Sequence, residues 1–166
     1  MLFRSVAALN VAAGAITFTD VDVKDNHTVT FAPAGTNTTA LGTFALGALT
    51  DTVNGLGGTR GWTYTLNDGA ANYLQAGEQV TEVFTVTVDD GNGGVKTQDV
   101  TITIVGTNDD PVITSAPQAG GVKEDVAALN VAAGAITFTD VDVKDNHTVT
   151  FAPAGTNTTA LDRKST

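Results

Sequence analysis

Four groups of acidic and amide side chains stand out along the chain. Asp20-Val21-Asp22, with Asp25 close behind, returns as Asp140-Val141-Asp142 with Asp145. Asp89-Asp90 is a second group, and Asn67-Asp68 with Glu78 is a third. Gly106-Thr107-Asn108-Asp109-Asp110-Pro111 is the fourth. Carboxylates, amides and carbonyls are the ligands of hard cations, and calcium takes about six to eight such oxygens. No single group holds that many, but groups pooled where two domains adjoin would. Two bare carboxylates about 4 Å apart repel by roughly 4 kcal/mol at an effective dielectric of about 20. Several together splay a linker unless a cation binds. Solvated turn chemistry is the plainer alternative, because Asp and Asn favour turns in any case. It suffices for Asp89-Asp90 or Asn67-Asp68 taken alone. Asp140-Val141-Asp142 pooled with Asn108-Asp109-Asp110 favours calcium. An EF-hand is excluded at Asp20-Val21-Asp22: Lys24 stands where the third oxygen ligand belongs, and no glycine follows at the sixth loop position.

The elements that must position these groups come in series. Val6 to Leu41 and Val126 to Leu161 are identical letter for letter, at an offset of 120 residues. So long a period means whole domains in tandem rather than turns of a solenoid. The two copies then diverge. Gly42-Thr43-Phe44 follows the first, and Asp162-Arg163-Lys164-Ser165-Thr166 follows the second. The expected organisation is a non-native end at 1–5, a first repeat at 6–105 without its opening strand, and a linker at 106–111. The N-terminal half of a second repeat follows at 112–161, and a non-native end at 162–166.

Within a repeat the pattern is apolar-in, threonine-out. Ile16 and Phe18, Val29 and Phe31, Trp62, Tyr64 and Leu66 each alternate with threonine. So do Phe84, Val86 and Val88, and then Val100, Ile102 and Ile104. This period of two marks half-buried antiparallel strands. Turn signals separate them at Asn54-Gly55, Gly57-Gly58, Asn67-Asp68-Gly69 and Asp90-Gly91-Asn92-Gly93-Gly94. About seven strands at this spacing predict a β-sandwich of immunoglobulin type, with one helical turn around Ala70 to Ala76. The opening strand A falls near Pro111–Glu124 of the second copy, and strand B at Gly14–Asp20. The loop after strand B and the hairpin at Asp89–Gly94 then share one pole. The Asn67-Asp68 turn and the Glu78 loop share the other.

Composition removes several function classes. The chain has 166 residues, 18 Asp+Glu against 8 Lys+Arg, and a formal net charge of -10. Nucleic-acid binding needs a basic footprint, which this balance does not supply. There is no cysteine, hence no disulfide and no thiolate site. An extracellular version of such a chain would need another staple, and metal is the usual one. No apolar run is long enough to insert in a membrane as a helix. No Gly-x-Ser-x-Gly elbow, His-Glu-x-x-His or phosphate-cradling loop is present, so an enzyme is not expected. His27 and its repeat His147 read as solvated turn residues, and Trp62 as core. Asn26 and Asn37 fit the N-glycosylation pattern, to which no role is assigned.

Three motifs together resemble the VCBS-type and bacterial cadherin-like repeats of large adhesins. Gly-Thr-Asn-Asp-Asp-Pro (106–111) is similar to their linker signature, and Thr-Asp-Val-Asp (19–22 and 139–142) to the end of their B strand. Phe-Thr-Val-Thr-Val-Asp-Asp-Gly-Asn-Gly-Gly (84–94) resembles their F–G hairpin. The resemblance covers nearly all of residues 6–161. It implies a non-catalytic spacer and adhesion module, secreted or displayed on the bacterial cell surface. Its partners would be neighbouring repeats, and other parts of the protein would grip cellular or abiotic surfaces. Calcium would stiffen the junctions. By the resemblance Asn108, Asp109, Asp110, Asp140 and Asp142 are junction ligands, Asp68 and Glu78 looser matches, and Asp20, Asp22 and Asp89 complete the candidate set. Glu124 resembles a further ligand at the end of strand A. At its equivalent in the first copy stands Arg4, followed by Ser5, so weaker calcium binding is expected here than in an uninterrupted array. The competing reading is a carbohydrate- or ligand-binding module, for which aromatics at 6% supply few platforms.

Overall fold

The computed structural model describes residues 10–22, 24–51, 57–127 and 130–154. The expected non-native ends and the Asn54-Gly55 turn lie outside the described residues, as do Arg4 and Ser5. The described chain is built of antiparallel β-strands with almost no helix. One sheet joins β1 (Val11–Phe18), β4 (Gly58–Leu66) and β3 (Gly42–Thr50) in the order β1-β4-β3. The other joins β2 (Thr28–Pro33), β5 (Gln79–Asp89) and β6 (Val95–Val105) in the order β2-β5-β6. Strand β1 starts three residues before the expected Gly14 and ends two before Asp20, so Asp20 lies in the loop beyond it. The helical turn α1 is Asp68–Ala71, earlier than expected.

The alternation explains the register. Ile16, Tyr64, Phe84, Val86, Val100, Ile102 and Ile104 are buried, while the threonines between them mostly face solvent. Phe44 of β3 stacks on Phe84 of β5 with ring centroids 4.6 Å apart and planes 15° from parallel. Phe44 also stacks on Trp62 of β4 at 5.6 Å, which sets Trp62 against the core as expected. Side chains of both sheets thus share one apolar cluster. Asn37, in the β2–β3 connection, holds that connection to β5 as a strand would. Its amide nitrogen donates to the Val83 carbonyl at 2.9 Å, and its amide oxygen accepts from the Val83 N–H at 2.7 Å.

Two turns position the acidic residues. In the β5–β6 turn, the Asp90 carboxylate accepts the N–H groups of Asn92 and Gly94 at 2.7 and 2.9 Å. Gly91 sits there at φ 75°, where a side chain would be strained. At the opposite end, Gly106 donates to the Glu78 carbonyl at 2.8 Å, and its carbonyl accepts from Gly77 at 3.0 Å. A Cβ on Gly106 would stand only 2.3 Å from the Gln75 carbonyl oxygen, so the linker passes the Glu78 loop at backbone contact.

The second copy behaves differently from the first. Residues 131–153 repeat β1 and β2 in sequence, yet only Phe138–Thr139 forms a strand (β8), paired with Val112–Ile113 (β7). Ile16 is 4% exposed and Ile136 is 55%; Val29 is 8% exposed and Val149 is 74%.

Candidate functional site

The loop 140–145 of the second copy lies against the Glu78 loop and the linker. The Asp109 N–H donates to Asp142 Oδ2 at 2.8 Å. Gln75 Nε2 donates to Asp145 Oδ1 at 2.5 Å, and Lys144 Nζ bonds Glu78 Oε1. Asp142 is 1% exposed, and its Oδ1 is buried with no hydrogen-bond partner. Glu78 Oε2 is likewise buried without a partner. The Lys144 ammonium holds the Glu78 carboxyl below its usual range. Carboxylate oxygens left dry in this way are costly unless a proton donor or a cation satisfies them. Among the described residues, Asp142 Oδ1 and Glu78 Oε2 are the junction carboxylate oxygens left in this state.

The other expected ligands divide. Asp140 is turned to its own loop: Oδ1 accepts the Asp142 N–H at 3.0 Å, and Oδ2 meets His147 Nε2 at 2.9 Å. Its carboxyl is held low by His147 first and by that N–H second. Asn108 donates to the Asp109 carbonyl and is exposed, as are Asp110 and Asp68. Asp68 lines a groove that Asp109 also lines. Asp20, Asp22 and Asp89 lie at the other end of the strands. Asp89 accepts the Gly91 N–H at 2.7 Å, which is turn chemistry. Among the described residues, the carboxylates whose ligand atoms gather within 4.8 Å are Asp20, Asp25 and Asp90. Of the expected ligands that trio includes Asp20, but neither Asp22 nor Asp89.

His27 corrects the sequence reading. It is buried rather than solvated. Nδ1 lies 2.7 Å from Asp51 Oδ1 and Nε2 lies 3.1 Å from Asp20 Oδ2, while its N–H donates to Asp51 Oδ2 at 2.9 Å. Phe18 covers the ring at 4.9 Å. Carboxylates only accept, so an imidazole bonded at both nitrogens must donate from both. In that state it has no lone pair for base chemistry or for a metal. Burial alone lowers the imidazole pKa, but the hydrogen bonds to Asp20 and Asp51 outweigh it and leave His27 raised. Asp51 gave no signal in the sequence, since only the fold brings β3's end to His27.

A raised folded-state pKa has a defined sign. Its stabilisation is complete below the ordinary histidine value of 6.5 and is lost as pH rises through the folded value. With chelator present, unfolding free energy should therefore fall as pH rises from about 6. His27→Gln should lack that part of the fall. Urea melts at several pH values would refute the assignment if both proteins gave the same slope.

The fold and the junction define an all-β protein with acidic ends. No protein-family model matches the chain, and no curated protein matches it.

Proposed function

We propose that this chain is a non-catalytic spacer and adhesion module of an extracellular bacterial adhesin, a β-sandwich repeat of VCBS or cadherin-like type, with calcium stiffening its junction. The strand orders β1-β4-β3 and β2-β5-β6 support the sandwich, because they are those of an immunoglobulin-type domain without its first strand. One observation carries the metal reading. At the face where linker and second copy meet the first repeat, Asp142 and Glu78 each hold a buried, unpartnered carboxylate oxygen. These two residues would bind the ion, with Asp109 at the linker beside them. A bound divalent cation would neutralise them and replace the single Lys144 contact with a bond between modules.

Calcium should raise the melting temperature and narrow the distribution of interdomain angles in small-angle scattering. At a free concentration of about 100 times Kd the gain is about 2.7 kcal/mol. Asp142→Asn should remove most of it. Melting and scattering profiles that chelator leaves unchanged would sink the proposal.

A further inference from the structure

Within these 166 residues the segment β1–β2 is written twice and its partner strands once. Val131–Pro153 repeats Val11–Pro33 without a difference, whereas the sequences of β3, β4, β5 and β6 occur a single time. In the structure the first copy takes the partners. Ala13 pairs with Thr63 on β4, and Phe31 with Val86 on β5. The second copy leaves the same apolar side chains in solvent, with Ile136, Val149 and Phe151 exposed.

The geometry also lets the second copy reach. A groove of about 740 Å³ is lined by Asn10 and Ala12 from the start of β1. Val105, at the end of β6, and Gly106 and Asp109 of the linker line it too. The chain thus leaves β6 beside the place where β1 begins. Residues 106–130 connect that exit to Val131, and an extended stretch of this length reaches on the order of 80 Å. The connection is long enough to seat the second copy on β4 without disturbing β3–β6.

We propose that Val131–Pro153 exchanges with Val11–Pro33 on β4 and β5, within one chain or between two copies of it. Between two copies the exchange is a strand swap, which joins molecules without any new kind of contact. The core contacts are the same in both arrangements because the residues are the same. What differs is the flank. The described arrangement keeps the β7–β8 pair, the Lys144–Glu78 and Gln75–Asp145 contacts and the Asp109–Asp142 hydrogen bond. The exchanged arrangement gives these up and is the minor form. In it His147 takes the place of His27 beside Asp51.

The chain has no cysteine, so paired cysteines report the exchange without background. Ala13 and Thr63 are directly opposed and both exposed. Opposed antiparallel residues have Cα atoms about 4.5–5.5 Å apart, within disulfide reach. A13C/T63C links in the described arrangement and serves as the control. A133C/T63C should link slowly and in part, and intact mass separates a linked monomer from a linked dimer. Adding Ile16→Asp to A133C/T63C buries a charge only in the described arrangement. It should raise the initial rate of linking by about tenfold or more. Absence of the 63–133 link in both A133C/T63C backgrounds, while A13C/T63C links, would overturn the proposal.

Discussion

Replacing Glu82 with alanine should cost about 2–6 kcal/mol of unfolding free energy, a large part of what a domain of this size has. Glu82 is 1% exposed in the middle of β5. Its Oε1 accepts the Leu41 N–H at 2.6 Å and the Thr39 hydroxyl at 2.9 Å, and its Oε2 accepts the Tyr64 hydroxyl at 2.9 Å. One carboxylate therefore ties β5 to the β2–β3 connection and, across the core, to β4 of the other sheet. Burial first, and the Glu82 carboxylate second, push the Tyr64 phenol above its ordinary range, so the hydroxyl stays a donor. Alanine leaves the Leu41 N–H and the Tyr64 hydroxyl buried and unpaired, at about 1–3 kcal/mol each. Glu82→Gln keeps an acceptor oxygen and should lose only about 1–2 kcal/mol. Urea unfolding of both variants tests this. A loss below about 1 kcal/mol for the alanine variant would mean that water replaces the carboxylate without penalty.

Phe84→Ala should cost a similar amount, about 3–5 kcal/mol, by a different route. The Phe84 ring lies 4.6 Å from Phe44, 5.9 Å from Tyr64 and 6.3 Å from Phe31. It is the point where rings of both sheets converge, so its removal leaves a cavity that neither sheet can close alone. Thr101→Ala, on the exposed face of the neighbouring strand, is the matched control and should change stability by less than about 0.5 kcal/mol. Thermal and urea melts that place Phe84→Ala within 1 kcal/mol of the control, roughly the scale of a surface change, would refute the central role of this ring.

Glu82 shows where sequence reasoning stopped short. It shares the parity of Phe84, Val86 and Val88, so the period of two already aimed it at the core. Its partners were not legible, because Leu41 and Tyr64 meet it only after two sheets pack. Asp51 and His27 repeat the lesson. A histidine beside a turn reads as solvated until a carboxylate from a distant strand end reaches its ring.

The two copies separate local from global causes with the sequence held constant. Asp22 and Asp142 each donate their N–H to the carboxylate two residues before, at 2.9 and 3.0 Å. Asp25 and Asp145 each donate to the carbonyl three residues before, at 3.0 Å. His27 meets Asp20, and His147 meets Asp140, with Phe18 and Phe138 over the rings. These loops come out alike because the contacts the two copies share lie within nine residues, so the sequence by itself determines those contacts, along with strand parity and the acidic character of the ends. The strands themselves were decided by tertiary structure. Val11–Phe18 is a strand because Gly58–Leu66 lies beside its whole length, whereas its duplicate has only the two-residue β7 beside its last residues. A strand's hydrogen bonds and apolar face are satisfied only by another segment, so the partner decides which of two identical sequences becomes a strand.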